Sequence, residues 1–170
     1  MAERMTEWKD GKQPALPVAG STKIELGKMV GFNSTGYAVE GADTAGIKIE
    51  GVACETVDNS AGSDGDEHVL VRRGKVFKLK NSTTNAVDAA DVGTLVFVED
   101  DETVADAPGT NGVVAGRCVE VAADGVWVEI PAQPQIAAQA ASTAADVATL
   151  KTDFNSLVTK LKAAGVMASA

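Results

Sequence analysis

The residues best equipped for chemistry are few and scattered. The chain of 170 residues has one histidine, His68, beside Glu67 in a polar stretch, and two cysteines, Cys54 and Cys118, in apolar runs. A Ser-His-Asp relay could use His68 as its base, but no Gly-x-Ser-x-Gly elbow accompanies it. One histidine and two cysteines cannot assemble a zinc site of standard spacing. No Gly-x-x-x-x-Gly-Lys-Ser/Thr loop is present to cradle phosphate. Two acidic clusters, Asp64-Gly65-Asp66-Glu67 and Glu99-Asp100-Asp101-Glu102, carry the hard oxygen ligands that calcium takes, without EF-hand spacing. Both read as solvated turns. A paired-carboxylate glycosidase needs an aromatic-lined cleft, and the chain has only Trp8, Trp127, Tyr37 and four phenylalanines. The expectation is a non-enzyme, with no catalytic residue, metal or cofactor.

Charge narrows the partners. The formal net charge is −9, which repels phosphate backbones and argues against nucleic acid. The one basic run, Arg72-Arg73-Gly74-Lys75 followed by Lys78 and Lys80, alternates with Val76, Phe77 and Leu79. It reads as the solvated or partner-facing side of a strand. No apolar run is long enough to span a bilayer. The polar opening Met1–Asp10 does not read as a signal peptide, so synthesis in a reducing cytoplasm with free thiols is expected. A disulfide between Cys54 and Cys118 stays open on sequence alone.

The elements that must position these residues fall into three zones: an extended N-terminal arm (1–20), a β-rich domain (21–130), and a linker plus C-terminal helix (131–170). In the arm, Pro14 and Pro17 favour an extended path, and Trp8 and Leu16 are apolar anchors. The arm could reach a neighbouring subunit or fold back on its own domain. The middle zone alternates over short runs, among them Lys28–Phe32, Gly46–Glu50, Val69–Val71, Lys75–Lys80, Thr94–Val98 and Gly125–Ile130, separated by Gly- and Asn-rich turn signals. Such spacing predicts a small β-barrel or β-sandwich. There is an internal echo. Gly27-Lys28-Met29-Val30 lines up with Gly93-Thr94-Leu95-Val96, and Gly51-Val52-Ala53-Cys54-Glu55 with Gly116-Arg117-Cys118-Val119-Glu120. It predicts two related β units or is a chance likeness among Gly/Val-rich strands.

The third zone carries the clearest periodicity. Ile136, Ala140, Thr143, Val147, Leu150, Phe154, Leu157, Leu161 and Ala164 recur at alternating steps of four and three, a coiled-coil seam of about four heptads. Pro134 suits its start and Gly165 its end. Asp146 and Lys151 fit an ion pair between chains. The strong layers are Val147, Leu150, Phe154, Leu157 and Leu161. Each fully buried side chain is worth about 1.5–3 kcal/mol, against a comparable ordering cost, so the coil should depend on the rest of the protein for oligomerisation. Phe154 at an a position favours a homotrimer, with a dimer as the alternative.

The ordered series Val71–Leu79, Ala90–Ala105, Val114–Val121 and Asp124–Ile130 resembles the capsid decoration, or head cement, proteins of tailed phages, over roughly Gly27 to Ile130. The resemblance implies a β-rich domain on the outer capsid surface of the virion, assembled in the host bacterial cytoplasm. It further implies the major capsid protein as partner and no catalysis. Trp8, Leu16, Arg72 and Arg73 are the candidate capsid contacts. The heptad tail departs from the shorter members of that family. The rival readings are a host- or glycan-binding fibre-tip module on a coiled-coil stalk and, further off, a trimeric nucleotide hydrolase.

Overall fold

A computed structural model describes residues 11–130, 142–143 and 145–163. The chain separates into two compact units, Met1–Ala132 and Gln133–Ala170. The first is mainly β, with a closed five-stranded barrel, and the second carries one helix.

Among the described residues twelve strands follow in order: β1 (Ala15–Pro17), β2 (Thr22–Ile24), β3 (Met29–Phe32), β4 (Ala38–Glu40), β5 (Lys48–Ala53), β6 (Val57–Asn59), β7 (His68–Arg72), β8 (Lys75–Asn81), β9 (Leu95–Val98), β10 (Thr103–Ala105), β11 (Val114–Ala122) and β12 (Gly125–Ile130). Alternation sets their faces, because successive side chains point to opposite sides. In β7, Val69 and Val71 are fully buried while His68, Leu70 and Arg72 face out. In β9, Val96 and Val98 point inward.

The strands make two modules of one design. In the first, a sheet in the order β1-β7-β5-β3-β4 curls until its edges meet at a parallel bridge between Val18 and Ala38. In the second, β8, β12, β11, β9 and β10 close into a barrel, and the closing contact is again parallel, β8 against β10. The backbone hydrogen bonds repeat. Gly27 N–H donates to Ala53 O (3.0 Å) as Gly93 N–H does to Cys118 O (2.8 Å), and Ala53 N–H donates to Lys28 O (2.9 Å) as Cys118 N–H does to Thr94 O (2.9 Å). Across the closing seam, Ala19 N–H to Ala38 O (3.0 Å) matches Ser82 N–H to Val104 O (2.8 Å). Even the β-bulge recurs, between the pairs Val30–Gly51 and Gly31–Ile49 in the first module and Val96–Gly116 and Phe97–Val114 in the second. The echo in the sequence is therefore a duplicated fold. The copies differ in trim. The first adds a two-stranded ladder, β2 with β6, whereas the second has a 3-10 turn at Ala89–Asp91 and joins β11 directly to β12.

Each module has its own core. Leu16, Val18, Ile24, Val30, Ala38, Ala53, Val69 and Val71 fill the first. Leu79, Val87, Val96, Val98, Val104, Cys118, Val126 and Val128 belong to the second, and Met29, Ile49 and Val52 of the first module join that same cluster. The modules are thus one packed body. Two expectations about the arm change here. The stretch Ala15–Pro17 is a strand paired with β7, Leu16 opposite Val69. Leu16 is only 7% exposed, so it is a core residue and not a surface anchor. Prolines signalled an extended path; the apolar alternation of Leu16 and Val18 fixed where it goes.

Helix α1 spans Val147–Ala163. It starts there because Asp146 caps it: one carboxylate oxygen accepts the Thr149 N–H at 2.8 Å and the other lies 3.2 Å from the Thr149 hydroxyl. Those bonds, the backbone one foremost, hold the Asp146 carboxyl below its ordinary pKa. Within the chain, Asp146 thus serves as the helix cap. Of the heptad positions among the described residues, Thr143 precedes the helix, and Val147, Leu150, Phe154, Leu157 and Leu161 lie in it. Ile136, Ala140, Ala164, Pro134 and Gly165 lie outside the described residues, as does Trp8.

Candidate functional site

The chemistry-bearing residues do not converge. His68 is exposed at the start of β7. Cys54 and Cys118 are free thiols in different modules, Cys54 half-buried and Cys118 buried in the barrel core. Burial, with a smaller push from Asp91, raises the Cys118 pKa against one opposing backbone hydrogen bond from Glu120. A raised pKa keeps the thiol protonated and poorly nucleophilic. Among the described residues, no group of three or more His, Cys, Asp or Glu side chains could hold a metal ion, and no helix is long and apolar enough to cross a membrane.

Both acidic clusters are structural. Asp64 accepts the Gly20 N–H at 2.7 Å, which ties this loop to the connection between β1 and β2, and Asp66 accepts the Ser63 N–H at 2.7 Å, which folds the loop on itself. In the second cluster, Asp100 accepts the Glu102 N–H at 2.9 Å and shapes the β9–β10 turn. Asp101 and Glu102 receive Lys28 of the other module at 3.0 and 3.1 Å. Lys80 also pairs with Glu102. Beside these ion pairs the Met29 N–H donates to Asp101 O at 2.7 Å. Asp43 makes a second clasp, its carboxylate accepting N–H groups of Asn111 and Val113 (3.1 and 3.3 Å) and its carbonyl accepting the Asn111 amide at 2.7 Å.

The lysine clasp has a pH signature. The hydrogen bonds that Lys28 donates to Asp101, then to Glu102, raise its pKa above its ordinary value, while Lys80 and then Lys28 lower that of Glu102. A raised lysine contributes its full stability below its unfolded-state pKa and loses it only as pH rises through the folded value. A lowered carboxyl contributes above its unfolded-state pKa, about 4.3, and loses that as pH falls through the folded value. Stability should therefore be flat through neutral pH and fall below about pH 4. Lys28→Met should make the acid limb shallower. Urea midpoints across pH check this, and an unchanged acid slope in the variant would remove the clasp from the account.

The basic run is largely answered by the protein's own acids and carbonyls. Arg73 pairs with Glu50 at 3.0 Å and its Nε donates to Gly11 O at 2.6 Å. Lys78 pairs with Asp124 and lies 5.9 Å from the Trp127 ring centre. Of the capsid-contact candidates, Arg72 stays exposed, Arg73 is half-buried in its ion pair and Leu16 is buried.

What the surface does offer is apolar. Val147, Leu150 and Phe154 of α1 are 82%, 53% and 62% exposed. With Leu157 and Leu161, which are half-buried, they recur every three or four residues and so share one side of the helix. On the β body, Leu26, Val92, Leu95 and Val119 stand exposed. The turn signals at 26–27 and 92–93 could have flagged the matched pair Leu26 and Val92 as surface side chains. An open groove of about 330 Å³ runs along Phe32, Asn33, Ser34, Gly36, Gly46 and Lys48; no sequence motif announced it.

The fold and surface define a mainly β protein with a closed barrel and one C-terminal helix. No family model matches the chain, and no curated protein or solved structure matches it.

Proposed function

We propose that the protein is a structural component of a tailed-phage head. It binds the outer surface of the capsid as an oligomer and stabilises the shell by bridging neighbouring copies of the major capsid protein. One observation carries this reading. The chain spends its chemistry-bearing side chains on structure, at Asp43, Asp64, Asp66, Asp101 and Glu102, and leaves apolar side chains exposed on the barrel body and on one side of α1. That is the profile of an adhesive module. The ordered series from Val71 to Ile130 supports the capsid as the surface it adheres to, and an acidic body suits a site away from packed DNA.

In this reading the helices of a homotrimer zip through Val147, Leu150, Phe154, Leu157 and Leu161. Several β bodies are thereby presented at once, and multivalent attachment strengthens binding without tight individual contacts. Exposed Arg72 and the stretch before Gly11, with Trp8, supply capsid contacts. Electron microscopy of purified protein mixed with undecorated, expanded capsids should show extra density at local three-fold or two-fold axes. Absence of binding to every capsid state would overturn the proposal, and binding to cells or glycans instead would favour the fibre-tip reading. Leu150→Asp with Phe154→Asp should leave the melting temperature of the β body unchanged. It should raise the protein concentration needed to saturate capsids about 100-fold, the scale of lost avidity.

A further inference from the structure

The duplication exposes a face that its twin buries. In the first module Met29, Ile49 and Val52 pack against the second module, with Met29 fully buried. The repeat pairs place Leu95, Val114 and Arg117 at the same positions of the second module: Met29 pairs with Val52 as Leu95 pairs with Arg117. There Leu95 is 55% exposed. The receiving side is duplicated as well. The second module takes Met29 at its β9–β10 turn, through Asp101 O. The matching β3–β4 turn of the first module, Asn33–Gly36, is exposed at Ser34, Thr35 and Gly36 and borders the open groove. Each chain thus carries one used knob-and-socket contact, one spare knob and one spare socket.

The charges of the spare pair have changed together. Thr94 stands where Lys28 stands in the used contact, and Thr35 and Gly36 stand where Asp101 and Glu102 stand. The lysine of that ion pair is gone from the knob and its anions from the socket, so joining the spare faces strands neither partner of that pair; the cation the spare knob does carry, Arg117, is turned to its own module, its Nε donating to Gly93 O at 2.7 Å. We propose that a second copy of this chain docks head to tail, its Leu95 face against the groove lined by Phe32, Ser34, Gly36 and Lys48, continuing between chains the contact already made within one. Such a heterologous contact closes into a ring or runs on as a filament. It stands apart from the capsid reading, since it rests only on the repeat.

Disulfide trapping in the full chain tests it, in a Cys54→Ser background, with Cys118 buried. Leu95→Cys and Thr35→Cys proteins, mixed and mildly oxidised, should give a 35–95 cross-linked dimer several-fold above either protein alone. The double variant should give species larger than a dimer. A Ser60→Cys protein, changed at an exposed site in β6's following turn, sets the background. Two results overturn the proposal: cross-linking no greater than that background, or Leu95→Cys alone linking as efficiently as the mixture, which would mean a two-fold symmetric contact.

Discussion

Gly51→Ala and Gly116→Ala should each lower the stability of the β body by about 2–3 kcal/mol, the cost of forcing extra atoms into a packed interior. The two glycines are repeats of one another at the bulge where the central strands cross. A Cβ on Gly51 would lie 2.2 Å from Arg72 O and 2.8 Å from a Val71 methyl, and one on Gly116 would lie 2.2 Å from Glu129 O and 2.7 Å from a Val128 methyl. Both obstacles are backbone of the neighbouring strand and a core valine, so relief needs the strand itself to move. Gly27→Ala is the control. Gly27 has φ +85° with nothing within 4 Å of the added atom, so only left-handed strain remains, about 1 kcal/mol. Urea denaturation of the three variants gives the ranking directly. Because Met29, Ile49 and Val52 sit in the second module's core cluster, the loss should appear as one shifted transition. A Gly116→Ala protein that melts in two separate steps would show the modules to be independent.

That pair of glycines also marks how far the sequence could be read. Long strands were legible, since Lys75–Lys80 and Thr94–Val98 alternate over enough residues to show a period of two, and they appear as β8 and β9. Strands β4, β6 and β10 have three residues each, too few for any period to stand out. The duplication surfaced in the sequence as two short echoes because sheet packing conserves volume and pattern more than identity. Phe32 answers to Val98, Ala38 to Val104 and Ala53 to Cys118, whereas the glycines persist because backbone crosses there and no side chain fits. The acidic clusters were legible as turns but not as clasps. Nothing local to Asp101 and Glu102 indicates that Lys28, more than seventy positions earlier, will meet them. The helical spacing from Val147 to Leu161 was legible and lies in α1, whereas the Asp146 cap that sets its first turn was not, because a capping carboxylate looks like any other acidic residue until the Thr149 N–H is placed against it.

Asn59→Asp should be the most damaging conservative change in the first module, costing about 3–5 kcal/mol at neutral pH, as expected when a buried polar partner becomes an uncompensated charge. Asn59 is 2% exposed. Its amide nitrogen donates toward three carbonyls, Ser63 O at 2.9 Å, Ala19 O at 3.0 Å and Val18 O at 3.3 Å. It thereby ties β6 and the loop after it to the chain leaving β1. Aspartate keeps the shape but cannot donate when ionised, and it would face those three oxygens with a negative charge. The neutral form is preferred there, so the new carboxyl's folded pKa must lie above its unfolded value. Its penalty is therefore smallest at acid pH and grows as pH rises through the folded pKa, then levels off. The difference in urea midpoint between the variant and the parent should narrow on going from pH 7 to about pH 4, the reference carboxyl range. Asn59→Leu, which carries no charge, should show a smaller loss of about 1–3 kcal/mol from carbonyls left without a donor, with no such pH dependence. Equal losses for the two variants at every pH would mean that the amide contributes volume alone, and that the loop from Ser60 to Glu67 is held by Asp64 and Asp66.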